Sequence, residues 1–237
     1  MMEAVRNGAW AKAGGVVPTA RDYVQDGLIG LWDGIENAGW GVHDQSATTW
    51  NDLSGHGYDL SCFNSYEWLD SAVKLSGGSR PIYRPHTIIG KRGADAHVSI
   101  VAEAESNGGV IFGAGQGPEN SAIVFTRRSN GAFVQIANST SAGVKNIVPF
   151  DETLFSIAVN YSGGDIAYSE VNGIQKNPYY KFGGTYCNTL CVGDRANDSS
   201  VPFTGKVYTI RIYSRVLTAE EIAHNYAVDK ARFNLPD

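Results

Sequence analysis

The chain has 237 residues, of which 43% are hydrophobic and 18% charged, with a net charge of −5. This composition predicts a globular chain with a packed core, and the length suits one large β domain. The acidic balance and the lack of a long basic run argue against nucleic acid as a partner, and no segment approaches the roughly 18 apolar residues of a membrane span.

Residues 1–23 are rich in Ala and Gly and are interpreted as an N-terminal tail or attachment arm that could bind a protein partner. The arm lacks the apolar stretch of a secretory signal, so the protein either is not exported by that route or has lost its signal. The folded domain is expected to cover residues 24–237.

A first strand is predicted after the Asp26-Gly27 turn, with Leu28, Ile29 and Leu31 as its apolar residues. The following stretch, Asp33 to Asp59, is polar and glycine-rich without an apolar period. It is therefore predicted to be an ordered loop. A compact domain tolerates so long a loop only when something holds it in place.

Short apolar segments separated by turn residues occupy most of the remaining chain. They cover residues 60–63, 72–75, 81–83, 97–103, 109–113, 121–127, 132–137, 154–161, 165–171, 190–193 and 206–213. Asn130-Gly131 and Asn172-Gly173 predict tight turns between neighbouring strands, whereas Pro81 and Pro85 limit the segment between them to an edge strand. The pattern predicts an all-β fold, a two-sheet antiparallel jelly-roll sandwich.

The last predicted strand alternates along its length. Its core face is predicted to carry Tyr208, Ile210 and Ile212, and its other face Val207, Thr209, Arg211 and Tyr213. On this interpretation Arg211 marks a face that sees solvent or a groove.

A short C-terminal helix is predicted to follow. Thr218 and Glu221 have the spacing of a capping box, and Leu217 and Ile222 that of a hydrophobic staple. Because so short a helix is marginal alone in water, we expect it to dock Ile222 and Tyr226 against one end of the sheets as a lid or brace.

The three cysteines, Cys62, Cys187 and Cys191, allow at most one internal disulfide. Buried thiols in a β core are the favoured interpretation. Cys187 and Cys191 would close a small and geometrically demanding loop.

Three stretches of the chain resemble the laminin-G-like branch of the concanavalin A-like lectin/glucanase superfamily. They are Gly27–Leu60, the hairpin Leu154–Gly173 and the ending Phe203–Phe233. The resemblance implies a jelly roll that binds ligands at the concave face of a sheet or at the loops of one end. Members often bind glycans, some bind proteins and many carry calcium. The sequence style is similar to modules of bacterial surface proteins and phage particles, which implies an extracellular, cell-surface or virion location.

Catalysis is not expected from the carboxylates of this chain. Glycoside hydrolysis needs two carboxylates at a fixed separation. The Glu-x-Asp-x-x-Glu pattern of the family's glucanases is absent, and Glu103 with Glu105 is interpreted as a solvated strand end. Neither a nucleophile elbow, a phosphate-binding loop nor a His-Glu-x-x-His motif occurs. We predict a protein that is not an enzyme, with an unusual glycoside hydrolase as an alternative.

Carbohydrate would be recognised by aromatic rings against apolar sugar faces and by polar groups against hydroxyls. Trp32 and Trp50 are predicted to anchor the polar loop in the core, and Trp40, between glycines, to be exposed. The ligand contacts that we predict are Trp40, Asn37, Tyr179 and Arg211.

A structural calcium ion would supply the tie that the polar loop needs, because Ca²⁺ takes carboxylate and carbonyl oxygens. The predicted ligands are Asp33, Asp44 and Asp52. The alternative for Asp52 is that it starts a β-turn in the sequence DLSG.

The leading hypothesis is a non-catalytic recognition module for carbohydrate binding or adhesion on a bacterial or phage surface. A shallow sugar site often reaches only millimolar affinity, about −4 kcal/mol, so a homo-oligomer or a repeating support is expected. The alternative is a structural or protein-binding component of a phage or prophage particle.

Overall fold

The computed structural model describes residues 16–84, 94–105, 109–114, 123–127, 133–136, 145–149, 153–163, 165–175, 189–194 and 202–235. Its strands, in chain order, are β1 (Leu28–Asp33), β2 (Thr49–Trp50), β3 (Leu60–Cys62), β4 (Tyr66–Leu69), β5 (Ala72–Ser76), β6 (Ile82–Arg84), β7 (Ala96–Ala104), β8 (Val110–Ala114), β9 (Ile123–Arg127), β10 (Phe133–Ile136), β11 (Lys145–Pro149), β12 (Leu154–Ser162), β13 (Asp165–Val171), β14 (Ile174–Gln175), β15 (Leu190–Val192) and β16 (Thr204–Tyr213). A 3-10 helix, Ala20–Asp22, precedes them and helix α1, Ala219–Phe233, follows them.

The strands form two antiparallel sheets. The first has the order β14-β13-β12-β7-β16-β5-β4, with β1 paired to β16 beyond the end of β5. The second has the order β11-β10-β9-β8-β15-β6-β3-β2. All of these neighbours pair antiparallel, which confirms the predicted all-β sandwich with a C-terminal helix.

The main core lies between the two sheets. Val98 and Ile100 of β7 alternate into it, and Phe155 and Ile157 of β12 face it from the next strand. Both predicted tryptophan anchors are fully buried there, which confirms that interpretation. Their ring nitrogens donate to loop carbonyls, that of Trp32 to Tyr58 at 3.0 Å and that of Trp50 to Asp33 at 2.9 Å.

Helix α1 begins as the sequence predicts. Thr218 Oγ1 accepts from the Glu221 backbone nitrogen at 3.2 Å, and a Glu221 carboxylate oxygen accepts from the Thr218 nitrogen at 2.9 Å. Leu217 and Ile222 are both buried at this end. The predicted position of the helix is wrong, because α1 does not lie at one end of the sheets. It covers the outer face of the first sheet, the face opposite the main core, and forms a third layer there.

The predicted faces of β16 need a correction at its N-terminal half. A β-bulge shifts the pairing with β7 between Val207 and Thr209. The extra residue reverses the alternation, so Val207 joins the main core and Tyr208 packs on the helix side against Phe233. Ile210 and Ile212 follow the bulge and face the main core as predicted.

Strand β6 was predicted as an edge strand but lies inside the second sheet, between β15 and β3. Pro81 stands one residue ahead of the first ladder pair, Ile82 with Val192. The nitrogen that cannot donate therefore falls outside the paired segment, and the Pro81 carbonyl accepts from Phe63 at 2.8 Å.

The turn after β13 has the predicted geometry. Asn172 and Gly173 have φ angles of +49° and +74°, as a type I′ hairpin turn requires, and β13 pairs with β14. The predicted turn at Asn130-Gly131 lies outside the described residues, although β9 and β10 pair antiparallel on either side of it.

The packed domain begins before residue 24, the predicted boundary. Ala20 is fully buried and Tyr23 is 2% exposed, both against helix α1 and the first sheet. Cys62 and Cys191 are buried free thiols, as favoured, and Cys187 lies outside the described residues. In the described part of the chain, no helix has the length and apolar character to cross a membrane.

Candidate functional site

Arg211, a predicted ligand contact, is 1% exposed and lies beneath helix α1. Its two terminal nitrogens donate to the two carboxylate oxygens of Asp229, each at 2.5 Å, and its Nε donates to Ser99 Oγ at 3.0 Å. Burial alone would lower the pKa of Arg211, but Asp229 raises it above its ordinary value. The prediction that Arg211 marks a face open to solvent or a groove is wrong, because helix α1 covers this face of β16.

A small polar cavity adjoins this ion pair between α1 and the first sheet. Its volume is about 10 Å³, and its polar lining includes Ser99, Ser156, Glu170 and Asp229. Such a volume holds about one water molecule and excludes a sugar ring. The buried polar face under α1 is therefore a structural element.

A second buried ion pair joins the helix to the polar loop. Arg232 donates to both carboxylate oxygens of Asp33, at 2.7 and 3.0 Å. Asp33 Oδ1 also accepts from the backbone nitrogens of Ile35 and Glu36, and the residue is fully buried. A calcium ligand needs free oxygen lone pairs, and those of Asp33 are directed at donors of the protein itself.

Asp52 is likewise saturated by donors. Its Oδ1 accepts from the backbone nitrogens of Leu31 at 3.0 Å and Ser54 at 2.9 Å, and its Oδ2 from the nitrogen of Tyr58 at 3.0 Å and the hydroxyl of Ser54 at 2.9 Å. The sequence predicts two alternative roles for Asp52, a calcium ligand or the start of a turn. The hydrogen bonds from Ser54 to the Asp52 carboxylate are those of the predicted turn.

Asn37 holds the other half of the polar loop. Its side-chain amide exchanges two 2.8 Å hydrogen bonds with the backbone of Asp44, and the residue is fully buried. The Asp44 carboxylate accepts hydrogen bonds from the backbone nitrogen and the hydroxyl of Ser46, and these bonds lower the pKa of Asp44. The loop is thus tied down by its own amides and carboxylates.

No group of three or more His, Cys, Asp or Glu side chains among the described residues is arranged to hold a metal ion. Asp33, Asp44 and Asp52 each have the separate partners given above. Calcium binding by the domain stays a prediction.

Two of the four predicted ligand contacts are aromatic. Trp40 is partly buried against the cluster beneath α1, and the Arg21 guanidinium lies 4.3 Å from the centre of its ring, so one ring face is already covered. Tyr179 lies outside the described residues. Ligand contact by either residue stays a prediction.

Glu103 of β7 and Glu105, which follows β7, each lie close to a lysine of another strand, Lys206 of β16 and Lys74 of β5. Glu103 accepts from Lys206 Nζ at 3.0 Å and from the Tyr208 hydroxyl at 2.8 Å. Glu105 lies 4.0 Å from Lys74 Nζ. These contacts indicate strand-to-strand pairing.

The outer face of the second sheet carries a different set of side chains. Cys62, Ile82 and Val192 point into the main core, so their strand neighbours point outward. Those neighbours are Ser61 and Tyr83, which are paired across β3 and β6, and Cys191 on β15. Phe63 follows β3 and is 62% exposed, the largest exposed ring in the described part of the chain.

We call Ser61, Phe63, Arg80 and Tyr83 the Tyr83 surface. The Arg80 guanidinium lies 5.4 Å from the centre of the Tyr83 ring, and the Arg80 backbone nitrogen donates to Asp194 at 3.2 Å. Cys191 on the same face is fully buried, and burial raises the pKa of its thiol to about 12, which makes it unreactive.

Comparison with solved structures finds similar β-sandwich folds in several other proteins. A Trypanosoma rangeli sialidase matches with a TM-score of 0.63 at 15% identity, over 92% of this chain and 35% of the sialidase. The chain therefore spans about a third of the length of that protein. No family model and no curated protein matches the chain.

Two further structures match with similar scores. One is domain 4 of AbnA, an extracellular GH43 arabinanase from Geobacillus stearothermophilus, in complex with arabinotriose; it has a TM-score of 0.61 at 17% identity, over 84% of this chain and 98% of that domain. The other is the receptor-binding domain of botulinum neurotoxin C/D mosaic serotype, with a TM-score of 0.62 at 14% identity, over 86% of this chain and 52% of that chain. At these identities the likeness shows the fold alone.

The Tyr83 surface was not among the predicted site residues. A signal for it exists in the sequence, since Ser61 and Phe63 alternate with Cys62 and exposed Phe is uncommon. The edge-strand prediction for residues 81–83 argued against the Tyr83 surface, because Tyr83 becomes part of a continuous face only when β6 lies inside the sheet.

Proposed function

We propose that this protein is a non-catalytic carbohydrate-recognition domain that binds its ligand at the Tyr83 surface. The observation that carries the proposal is the exposed Phe63 ring and the half-buried Tyr83 ring on one sheet face, beside the Ser61 hydroxyl and Arg80. Rings of this kind pack against the apolar faces of sugars, and hydroxyl and guanidinium groups bond their hydroxyls.

The comparisons support this class of ligand. Domain 4 of the arabinanase matches over nearly its whole length and was solved with arabinotriose, which is a short linear oligosaccharide. The sialidase is solved in complex with 2,3-difluorosialic acid. We therefore propose an oligosaccharide or polysaccharide ligand for this chain.

The non-catalytic part of the proposal is supported by the partners of the carboxylates. Glu103 is paired with Lys206, Asp229 with Arg211 and Asp33 with Arg232. A catalytic acid and base would need to face a cleft at a fixed separation from a bound sugar.

The laminin-G-like branch and an extracellular or surface location are further proposals. The location is supported by the match to a domain of an extracellular arabinanase. A shallow face of this kind binds single sugars weakly, so we also propose that several copies act together.

A glycan array with the whole protein tests the function, followed by titration of the best ligand against variants. We expect binding to defined glycans, and Phe63→Ala and Tyr83→Ala to weaken it at least tenfold, about 1.4 kcal/mol. The matched control is Ile174→Ala, because Ile174 is 59% exposed but lies on the far edge of the first sheet.

Three results would contradict the proposal. Silence across the array would favour a structural or protein-binding component of a particle. Equal weakening by Ile174→Ala would remove the Tyr83 surface from the binding site. New reducing ends released from a bound polysaccharide would show that the domain is a glycoside hydrolase.

A further inference from the structure

The segment Thr19–Gln25 runs along helix α1 and contacts it with three consecutive residues. The Asp22 carbonyl lies 2.7 Å from His224 Nε2, the Tyr23 hydroxyl donates to Asp229 Oδ1 at 2.8 Å, and the Val24 nitrogen donates to Asn225 Oδ1 at 2.9 Å. The segment is therefore held to the side of the helix over more than one turn.

Tyr23 connects two ion pairs that join the helix to the strands. The Arg211 guanidinium lies 4.0 Å from the centre of the Tyr23 ring, and Arg232 donates to the Tyr23 hydroxyl at 3.2 Å. Burial raises the pKa of this phenol well above its usual value, so the hydroxyl is a neutral donor. The ring is thus the shared neighbour of the Arg211–Asp229 and Arg232–Asp33 pairs.

The polar side of the helix depends on this segment. The polar residues of α1 that are buried are Asn225, Asp229 and Arg232. Each of the three contacts Tyr23 or Val24. Without the segment, all three would lose a partner in a buried position, where an unsatisfied polar group costs about 1–3 kcal/mol.

The segment is also fixed at its own start. Thr19 caps the 3-10 helix and forms a capping box with Asp22. The Ala20 nitrogen donates to Glu36 in the polar loop at 3.2 Å, and Ala20 is fully buried. The segment therefore bridges the polar loop and α1.

We propose that Thr19–Gln25 is a strap that must be seated for helix α1 to stay docked. Release of the strap undocks α1 and uncovers the polar face of the first sheet, while the two sheets stay folded on the main core.

Hydrogen exchange of the full chain, followed by mass spectrometry, tests the strap. Tyr23→Ala removes the ring and the hydroxyl, and we expect exchange of the α1 amides to rise at least tenfold while exchange of β7 and β12 stays unchanged. Tyr23→Phe keeps the ring and should raise exchange of α1 by a smaller factor. The matched control is Tyr66→Phe, because the Tyr66 hydroxyl donates at 3.2 Å to the Ala47 carbonyl of the polar loop.

Unchanged protection of α1 in Tyr23→Ala would overturn the proposal. An equal loss of protection in α1, β7 and β12 would also overturn it, because the segment would then be an ordinary part of one cooperative core. If Tyr23→Ala does not fold, Tyr23→Phe decides by the same comparison of α1 with β7 and β12.

Discussion

Arg211 and Asp229 form a bidentate ion pair across the interface between β16 and helix α1, with both side chains 1% exposed. Charges buried in this way are stable only while both partners are present, since each has lost its hydration. The docking of α1 therefore depends on polar contacts in addition to the buried apolar residues Ile222 and Phe233.

Asp229→Asn should reduce the free energy of unfolding by about 3–5 kcal/mol, because it leaves the buried Arg211 without its counter-charge. Urea denaturation measures this change. The control is Asp26→Asn, whose carboxylate is 85% exposed in its pair with Arg215 and should give no resolved change. A similar loss in both variants would refute the special role of the buried pair.

Glu170, which is 6% exposed, should contribute to the pH dependence of the free energy of unfolding. Burial, and then the charge of Asp229, raise its pKa above the ordinary value. A carboxyl whose pKa is higher in the folded state contributes stability below its unfolded-state pKa. This contribution is lost as the pH rises from the unfolded-state pKa through the folded-state pKa. Glu170→Gln should therefore be more stable than the wild type at neutral pH, and the difference should vanish in acid. Urea midpoints across the pH range would show whether the two curves converge.

His97 should stay neutral far into acid. Burial lowers the pKa of its ring to about 3, and its Nδ1 lies 2.8 Å from Asn160 Oδ1. Because the unfolded chain binds this proton near pH 6.5, the contribution of His97 to stability should fall as pH drops from about 6.5 towards 3. A ring that titrates near pH 6.5 in an NMR experiment on the folded protein would contradict this.

Asp52→Ala should destabilise the domain by several kcal/mol, because four donors from Leu31, Ser54 and Tyr58 lose their acceptor. Thermal unfolding measures the effect. Asp44→Ala is the matched control in the same loop. Among the described residues its carboxylate bonds only the exposed Ser46, so its removal should shift the midpoint far less. The same scans with and without a chelator test whether calcium also contributes.

Gly173→Ala should cost more stability than Gly163→Ala. Both glycines have positive φ, +74° and +58°, where an L-residue costs about 1–2 kcal/mol. An added Cβ at Gly173 would also lie 2.6 Å from the Tyr226 ring of α1, whereas an added Cβ at Gly163 would have no atom of the described residues within 4 Å. Equal losses of unfolding free energy would show that the Tyr226 ring moves aside without cost.

The features that the sequence predicted correctly are those set by neighbouring residues. The capping box of Thr218 and Glu221 and the Asn172-Gly173 turn depend on local chemistry, and the alternation of β7 needs only its own residues. The burial of Arg211 depends instead on Asp229 and on Tyr23, which lie in separate segments. The bulge at Val207 and Thr209 left no local signal that distinguishes it from plain alternation.

The candidate site was harder to predict for a related reason. Asn37 and Asp33 are residue types that are common in binding sites, yet here their amide and carboxylate groups hold a long loop in place. Tyr83 joins the Phe63 side chain only through the pairing of β6 with β3, which the proline beside it argued against.

The strap and helix α1 both lie on the outer face of the first sheet, and the Tyr83 surface lies on the outer face of the second. Stacked sheets are separated by about 10 Å, so the full thickness of the sandwich stands between the two faces. A support tethered through either segment would therefore hold the domain with Phe63 and Tyr83 directed away from it. Under the proposed function, copies mounted side by side would present Phe63 and Tyr83 in one common plane towards a glycan with many repeated units.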